Sequence, residues 1–223
     1  MGTLYIVATP IGNLEDLSSR AIRILRESPV IIAEDTRHTG TLLKNLGIEN
    51  KKFISLYDEV EEQKSYEIIE LLKDGSDCAL VSDAGTPLVA DPGYKLIQSC
   101  LRNGITLVPI PGPSAVITGL VASGMPPDRF AFLGYFPQKK GKQESLLNQI
   151  KESKENGFIK TFIFYESPHR LLDSLSIIQR TMDDIDIVIA REMTKLHEEF
   201  FRGKVSNASL HFQNPKGEFV ILI

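Results

Sequence analysis

Carboxylates, cations and hydroxyls in this chain gather where short apolar runs end. Asp83 follows the run Cys78-Ala79-Leu80-Val81, with Ala84, Gly85, Thr86 and Pro87 directly behind it. Glu34, Asp35, Arg37 and His38 follow Val30-Ile31-Ile32-Ala33 in the same way. Glu166 closes the run Thr161 to Tyr165, and Arg191, Glu192 and Lys195 follow Ile185 to Ala190. Thr9-Pro10-Ile11-Gly12 and Pro111-Gly112-Pro113-Ser114 end two further runs. Such runs read as buried strands, and open α/β sheets bind ligands at the carboxyl ends of their strands. Asp83 offers an acceptor carboxylate at one strand mouth. Gly85, with no Cβ, lets a ligand come close to the backbone. Any one of these loops equally suits a tight strand-to-helix turn. Their accumulation along one sheet edge is what argues for a ligand cleft.

Several chemistries are excluded at this level. No G-x-G-x-x-G follows a strand, and Gly141-Lys142 lacks the Walker glycine, so neither a dinucleotide fold nor a P-loop is indicated. No His or Cys cluster has metal-ligand spacing, so no metal is expected, and Cys78 and Cys100 read as reduced core thiols. No apolar run reaches the roughly 20 residues of a membrane span, and the chain opens on a strand-like run without a signal-peptide pattern. A cytoplasmic protein is the expectation. The net charge of −4 argues weakly against nucleic acid, but the charge is uneven. Residues 18–52 hold seven Lys or Arg against four acids, and residues 53–75 hold seven acids against two Lys. An acidic chain can bind RNA through one local basic face.

The elements that must position these residues alternate. Strands at Leu4–Ala8, Val30–Ala33, Phe53–Leu56, Cys78–Val81 and Leu107–Ile110 are separated by helices at about Ser18–Glu27, Thr39–Leu46, Glu61–Asp74 and Pro92–Arg102. Gly47, Gly75 and Gly104 stop three of these helices. Asp91-Pro92 reads as an N-cap followed by proline at the first helical position. This alternation predicts βαβ units and a mostly parallel sheet. The second half changes character after a helix at about Ser114–Ala122. Strands are expected at Arg129–Gly134, Thr161–Tyr165 and Ile185–Ala190. Late, antiparallel strands are expected at Glu198–Arg202 and Glu218–Ile223, which makes that sheet mixed. Gln138 to Lys142 reads as a basic loop before a helix at about Glu144–Lys154, a solvated segment or an RNA-phosphate contact. The stiff Pro111-Gly112-Pro113 marks the boundary. The expectation is an α/β protein of two αβα domains, residues 1–112 and 113–223.

Six stretches occur in an order that points further: Leu4 to Leu14, Ala33-Glu34-Asp35-Thr36-Arg37-His38-Thr39, Val81-Ser82-Asp83-Ala84-Gly85-Thr86-Pro87, Pro111-Gly112-Pro113-Ser114-Ala115, Phe164 to Leu172, and Ala190 to Lys195. Together they closely resemble the bacterial ribosomal RNA small subunit methyltransferase I family, within the tetrapyrrole methylase-like, class III S-adenosylmethionine-dependent methyltransferases. The resemblance covers essentially the whole chain. Family members often run further than Ile223, some with an additional RNA-contacting domain. The resemblance implies a tetrapyrrole methylase-like fold with S-adenosylmethionine in the cleft between the two domains, 2′-O-methylation of a cytidine in 16S rRNA of the small ribosomal subunit, and a homodimer. Carried onto this sequence, it implies that Pro10, Asp83, Ala84, Gly85, Thr86, Leu88, Val89, Ser114 and Ala115 line the cofactor. Phe164, Tyr165, Met193, Lys216 and Gly217 would close over it. Glu34, Asp35, Arg37, His38 and Arg191 are the implied substrate-side residues, with Arg37 suited to clamp a phosphate through two parallel bonds.

Methyl transfer to a ribose oxygen needs alignment more than covalent chemistry, together with a base for a weakly acidic hydroxyl. Asp83, Glu166 and His38 are candidates, and Lys195 joins them if burial lowers its pKa. The residues do not choose among the four. Two other readings remain: a tetrapyrrole precursor as substrate on the same fold, or a non-catalytic cofactor-sensing module.

Overall fold

A computed structural model describes residues 1–223, which divide into two compact units, Met1–Ser114 and Ala115–Ile223. The first unit holds strands β1 (Thr3–Val7), β2 (Val30–Ala33), β3 (Lys52–Ser55), β4 (Cys78–Val81) and β5 (Thr106–Ile110). Helices α1 (Ser19–Glu27), α2 (Thr36–Asn45), α3 (Glu61–Lys73) and α4 (Tyr94–Arg102) connect them. The sheet order is β3-β2-β4-β1-β5, and every pair is parallel. All five carboxyl ends therefore lie on one edge. β2 and β4 are buried along their whole length, as strands covered on both faces must be.

Two cores explain that cover. On one face Ala21, Ile24 and Leu25 of α1 and Leu43 of α2 pack on Val7, Ile31 and Val81. On the other, Ile68 and Leu72 of α3 and Leu96 and Cys100 of α4 pack on Leu4, Ile32 and Leu80. The chain leaves β1 and β2 toward the first face and leaves β4, which lies between them, toward the second. This reversal opens a crevice at the mouth of β4, the place where doubly wound sheets take ligands.

The second unit holds α5 (Ala115–Ser123), β6 (Phe130–Tyr135), α6 (Lys140–Glu155), β7 (Thr161–Glu166), α7 (Leu171–Met182), β8 (Asp186–Arg191), β9 (Glu199–Lys204), α8 (Val205–His211) and β10 (Phe219–Leu222). Its sheet runs β6-β7-β10-β8-β9, parallel only at β6–β7. Phe162, Phe164, Ile189, Phe219 and Ile221 face a core shared with α6, α7 and α8. On the opposite face α5 approaches β10 closely: a Cβ on Gly119 would lie 3.4 Å from Val220 and 3.8 Å from Met193.

Three expectations need correction, and one helix is additional to them. α2 starts at Thr36 rather than Thr39, because the Asp35 side chain accepts from the N–H groups of Arg37 and His38 and caps the helix there. α4 starts at Tyr94, with Gly93 at φ 125° as its N-cap, so Asp91 is not the cap and Pro92 is not helical. Lys140 to Lys142 belong to α6 rather than to a loop, and buried Gln143, Leu147 and Ile150 hold that helix down. α8 was not expected at all.

Candidate functional site

The mouth of β4 is built by backbone first. Thr9 and Gly85 exchange two main-chain hydrogen bonds, 2.8 Å from Thr9 N–H and 3.1 Å from Gly85 N–H. Thr9 Oγ1 donates to the Ser82 carbonyl at 3.1 Å. This ties the end of β1 across the crevice to the loop after β4. Thr86 Oγ1 then donates to the Pro113 carbonyl at 2.9 Å, fixing the same loop to the segment after β5. Gly85 sits at φ 83°, where an L residue is strained, and an added Cβ would meet Ile11 at 3.3 Å. Leu88 and Ala90 also hold positive φ, 74° and 71°. Left-handed conformations at residues with side chains cost energy and concentrate at ligand-binding loops.

The mouth is acidic. Asp83 Oδ1 accepts from the Asp35 N–H at 3.2 Å, joining the ends of β4 and β2. Asp91, from the same loop, has a buried Oδ2 without a hydrogen-bond partner. Burial, chiefly, pushes its carboxyl up to about 6; Asp83 adds to the rise and a Ser82 hydrogen bond opposes it. The Glu34 carboxyl is raised as well, first by burial and then by Asp83, Asp91, Asp58 and Asp35. Carboxylates crowded so that two resist ionisation form a site that a cationic ligand would relieve. A sulfonium with an ammonium-bearing tail has that charge.

Around this mouth the other expected residues fall into place unequally. Pro10, Ala84, Leu88 and Val89 lie on the two tied loops, and Ser114 and Ala115 follow Pro113. Asp35 is engaged as helix cap and as partner of Arg37, whose Nε and Nη2 donate to Oδ1 and Oδ2 at 3.1 and 2.7 Å. The forked edge expected to grip a phosphate is thus held by Asp35. Those bonds also keep the Asp35 carboxyl well below the usual range. The Arg37 side chain remains 90% exposed. His38 stands exposed beside it in the first turn of α2.

On the second unit, β10 runs antiparallel to β7 and β8, so its start meets their ends. Phe219 pairs with Glu166 and Arg191, and Val220 with Tyr165 and Ala190. Tyr165, Arg191 to Lys195 and Lys216–Gly217 therefore share one edge. Glu192 and Thr194 hold positive φ there, 49° and 65°. A Cβ on Gly217 would come within 2.5 Å of the Glu192 side chain, so only glycine fits. Met193 is buried near α5.

Two expected residues, Phe164 and Glu166, are placed where they cannot meet a ligand as the side chains stand, and a third, Lys195, is held in ion pairs. Phe164 is fully buried in the core against Phe136, on the face opposite Tyr165. The Glu166 carboxylate is fully enclosed: it accepts from Ser167 N–H at 2.7 Å and from Ser174 Oγ, and pairs with Arg170. A carboxylate so enclosed fixes the start of α7 and has no access to a ribose hydroxyl. Lys195 pairs with Glu218 at 2.9 Å and Glu192 at 3.0 Å. Burial alone would lower its pKa, but hydrogen bonds to Glu218 and Glu192 outweigh that and raise it, which keeps the ammonium protonated. Arg191 donates to the Lys216 carbonyl at 2.7 Å and pairs with Glu199 at 3.3 Å.

The sequence gives Thr9 only a place at a strand end, Asp91 only the look of a cap, and Glu61 no role. Thr9 carried a signal, because it precedes Pro10 at a strand end. Asp91 was read as a cap. Glu61 gave no signal: it is buried on α3, and its Oε1 accepts from Lys95 N–H at 2.7 Å and Leu96 N–H at 3.2 Å, capping α4 from a distance.

A doubly wound parallel sheet with an acidic, backbone-tied loop at its switch point, followed by a mixed-sheet αβα unit, defines a methylase-type α/β architecture. Its solved likenesses are at the level of fold. A diphthine synthase superposes with a TM-score of 0.76 at 18% identity, covering 100% of this chain and 89% of that one. A uroporphyrin III C-methyltransferase from Thermus thermophilus gives 0.65 at 17% identity, covering 99% and 97%. The family described as Tetrapyrrole (Corrin/Porphyrin) Methylases matches residues 3–209. Ribosomal RNA small subunit methyltransferase I of Thermotoga maritima is 46% identical over 100% of this chain and 98% of its own length. Its counterpart in Escherichia coli O157:H7 is 44% identical over 100% of this chain and 77% of its own length. The chain belongs to the ribosomal RNA small subunit methyltransferase I family, within the tetrapyrrole methylases.

Proposed function

We propose that this protein transfers the methyl group of S-adenosylmethionine to the ribose 2′-oxygen of a cytidine in 16S rRNA of the small ribosomal subunit. The observation that carries the reading is the 46% identity to a small-subunit rRNA methyltransferase along the full chain. The acidic β4 mouth is its physical counterpart. Methyltransferases of this fold use S-adenosylmethionine, which supplies an electrophilic methyl group on a positively charged sulfur. Asp83 and Asp91 complement that charge, and Gly85 lets the ligand lie against the backbone. Of the other expected cofactor residues, Pro10, Ala84, Thr86, Leu88, Val89 and Ser114 belong to the first unit, and Ala115, Tyr165, Met193, Lys216 and Gly217 to the second. Likenesses at 17 and 18% identity speak for fold alone, so a tetrapyrrole substrate gains no support from them.

Among the four bases considered, Glu166 is sealed and Lys195 is held protonated. Asp83 and His38 keep accessible acceptors at neighbouring strand ends, and one of them takes the 2′-hydroxyl proton. Glu34 and Arg37 lie on the substrate side of the same edge. A cytoplasmic homodimer fits the family resemblance. No helix is long and apolar enough to cross a membrane.

The test is transfer of labelled methyl from S-adenosylmethionine to small subunits taken from a strain lacking the gene. Label in the RNA is expected. Cofactor binding by calorimetry without any label in RNA would overturn the reading in favour of a sensing module.

A further inference from the structure

Tyr135 has no role in the site described above, yet the end of β6 is bent to present it. β6 and β7 run parallel with Phe132 opposite Ile163 and then Tyr135 opposite Tyr165, so β6 advances three residues while β7 advances two. The extra residue makes a β-bulge, turned by Gly134 at φ 71°. Side chains alternate along a regular strand, which would send Phe132 and Tyr135 to opposite faces. The bulge brings both to one face, where they meet the Tyr165 ring at centroid distances of 4.7 Å for Phe132 and 5.6 Å, edge on, for Tyr135. Phe136 turns inward instead and is buried against Phe164. Of two adjacent aromatics, the one with a hydroxyl is therefore set outward.

The surroundings leave that ring open. α5 packs over β10, β8 and β9 on the same face, and β6 is the edge strand. Tyr135 is 60% exposed, above two half-buried rings that hold it. A ring already held loses little freedom when a second flat group settles on it. Lys139, Lys140 and Lys142 follow within seven residues and are exposed. Glu144 and Glu166 pair with Arg180 and Arg170, and Asp173, which shares a hollow with Lys140, is one charge against three. Exposed aromatic faces beside cations are what proteins offer to unpaired bases and their phosphates. That charge favours a polyanion over an apolar protein surface.

We propose that Tyr135 stacks one base of the substrate RNA, with Phe132 and Tyr165 holding its ring in place. This rests on the reading of RNA as substrate and adds a contact to a base.

The chain contains no tryptophan, so Tyr135→Trp carries a single indole reporter at an exposed position. Its fluorescence should be quenched by a short single-stranded RNA and left unchanged by S-adenosylmethionine alone. Tyr135→Ala should weaken RNA binding about tenfold in fluorescence anisotropy and raise KM for small subunits. Tyr135→Phe should keep both near wild type. The salt slope of RNA affinity should stay the same in Tyr135→Ala, because no charge is removed. S-adenosylmethionine affinity by calorimetry should be unchanged in all three variants, which separates stacking from a general loss of structure. RNA binding without quenching, or wild-type RNA affinity and KM in Tyr135→Ala, would overturn the proposal. Quenching by S-adenosylmethionine alone would make the ring a cofactor contact and also overturn it. So would a shifted monomer–dimer balance in sedimentation of Tyr135→Ala with RNA affinity kept, which would give the ring to a second copy. If RNA quenches the reporter but the wild type methylates no subunits, the proposed function falls and the stacking stands. If subunits are methylated and Tyr135→Ala keeps the wild-type KM, the stacking falls and the function stands. A wild type that neither binds RNA nor methylates subunits would overturn both.

Discussion

Asp91 is a carboxyl that burial in its loop keeps from ionising readily. Its folded-state pKa of about 6 lies above the ordinary aspartate value of about 3.9. A raised carboxyl favours folding while protonated and loses that contribution as pH rises through the folded value. Asp91→Asn removes the titration, so the melting temperature of wild type relative to Asp91→Asn should fall between about pH 4 and about pH 7. A difference that stays flat across that window would show that the carboxyl is not strained by burial. At Gly85 the constraint is steric. With φ at 83° and Ile11 at 3.3 Å from any Cβ, Gly85→Val should abolish S-adenosylmethionine binding in calorimetry while leaving a folded chain by circular dichroism. Arg37 differs from both. Its side chain is exposed and already forked onto Asp35, so Arg37→Ala should leave cofactor affinity unchanged and raise KM for small subunits. An unchanged KM would remove Arg37 from the substrate side.

At the scale of elements, α4 depends on a residue from another helix. Glu61 supplies the acceptor that Gly93 lacks, and the loop of Leu88 to Gly93 ends where that cap begins. Glu61→Ala should cost about 1.5–3 kcal/mol in denaturant unfolding, and Glu61→Gln should recover part of it. No loss in Glu61→Ala would mean that water or a neighbouring group caps α4 as well. The same example marks where sequence reasoning stops. β2 and β4 were legible to the residue, because four apolar residues ending in polar punctuation have few other readings. The start of α4 was not. Asp91-Pro92 has the local grammar of a cap, and the true cap lies 34 residues away from Lys95 along the chain. α6 was misread for a related reason. Lys139, Lys140, Gly141 and Lys142 look like a loop by composition, and the buried side of the helix shows only from Gln143 onward. In the site, the strand-end loops were visible as punctuation. The Thr9–Gly85 pairing and the sealing of Glu166 by Ser174 and Arg170 were not, since both need the distances between elements.

For the molecule as a whole, charge and substrate pull in opposite directions. On the proposed function, a chain of net charge −4 must hold an RNA by local positive groups while its β4 mouth takes a cation. The proposed function separates the signs: carboxylates of the β4 mouth for S-adenosylmethionine, and Arg37 for a phosphate. Methylation of small subunits should accordingly weaken as salt is raised, through KM more than through kcat. The most direct test of the central claim takes the RNA labelled by this protein from S-adenosylmethionine, digests it to nucleosides and separates them. The label should run as 2′-O-methylcytidine. Label on a base, or on the ribose of another nucleoside, would contradict it.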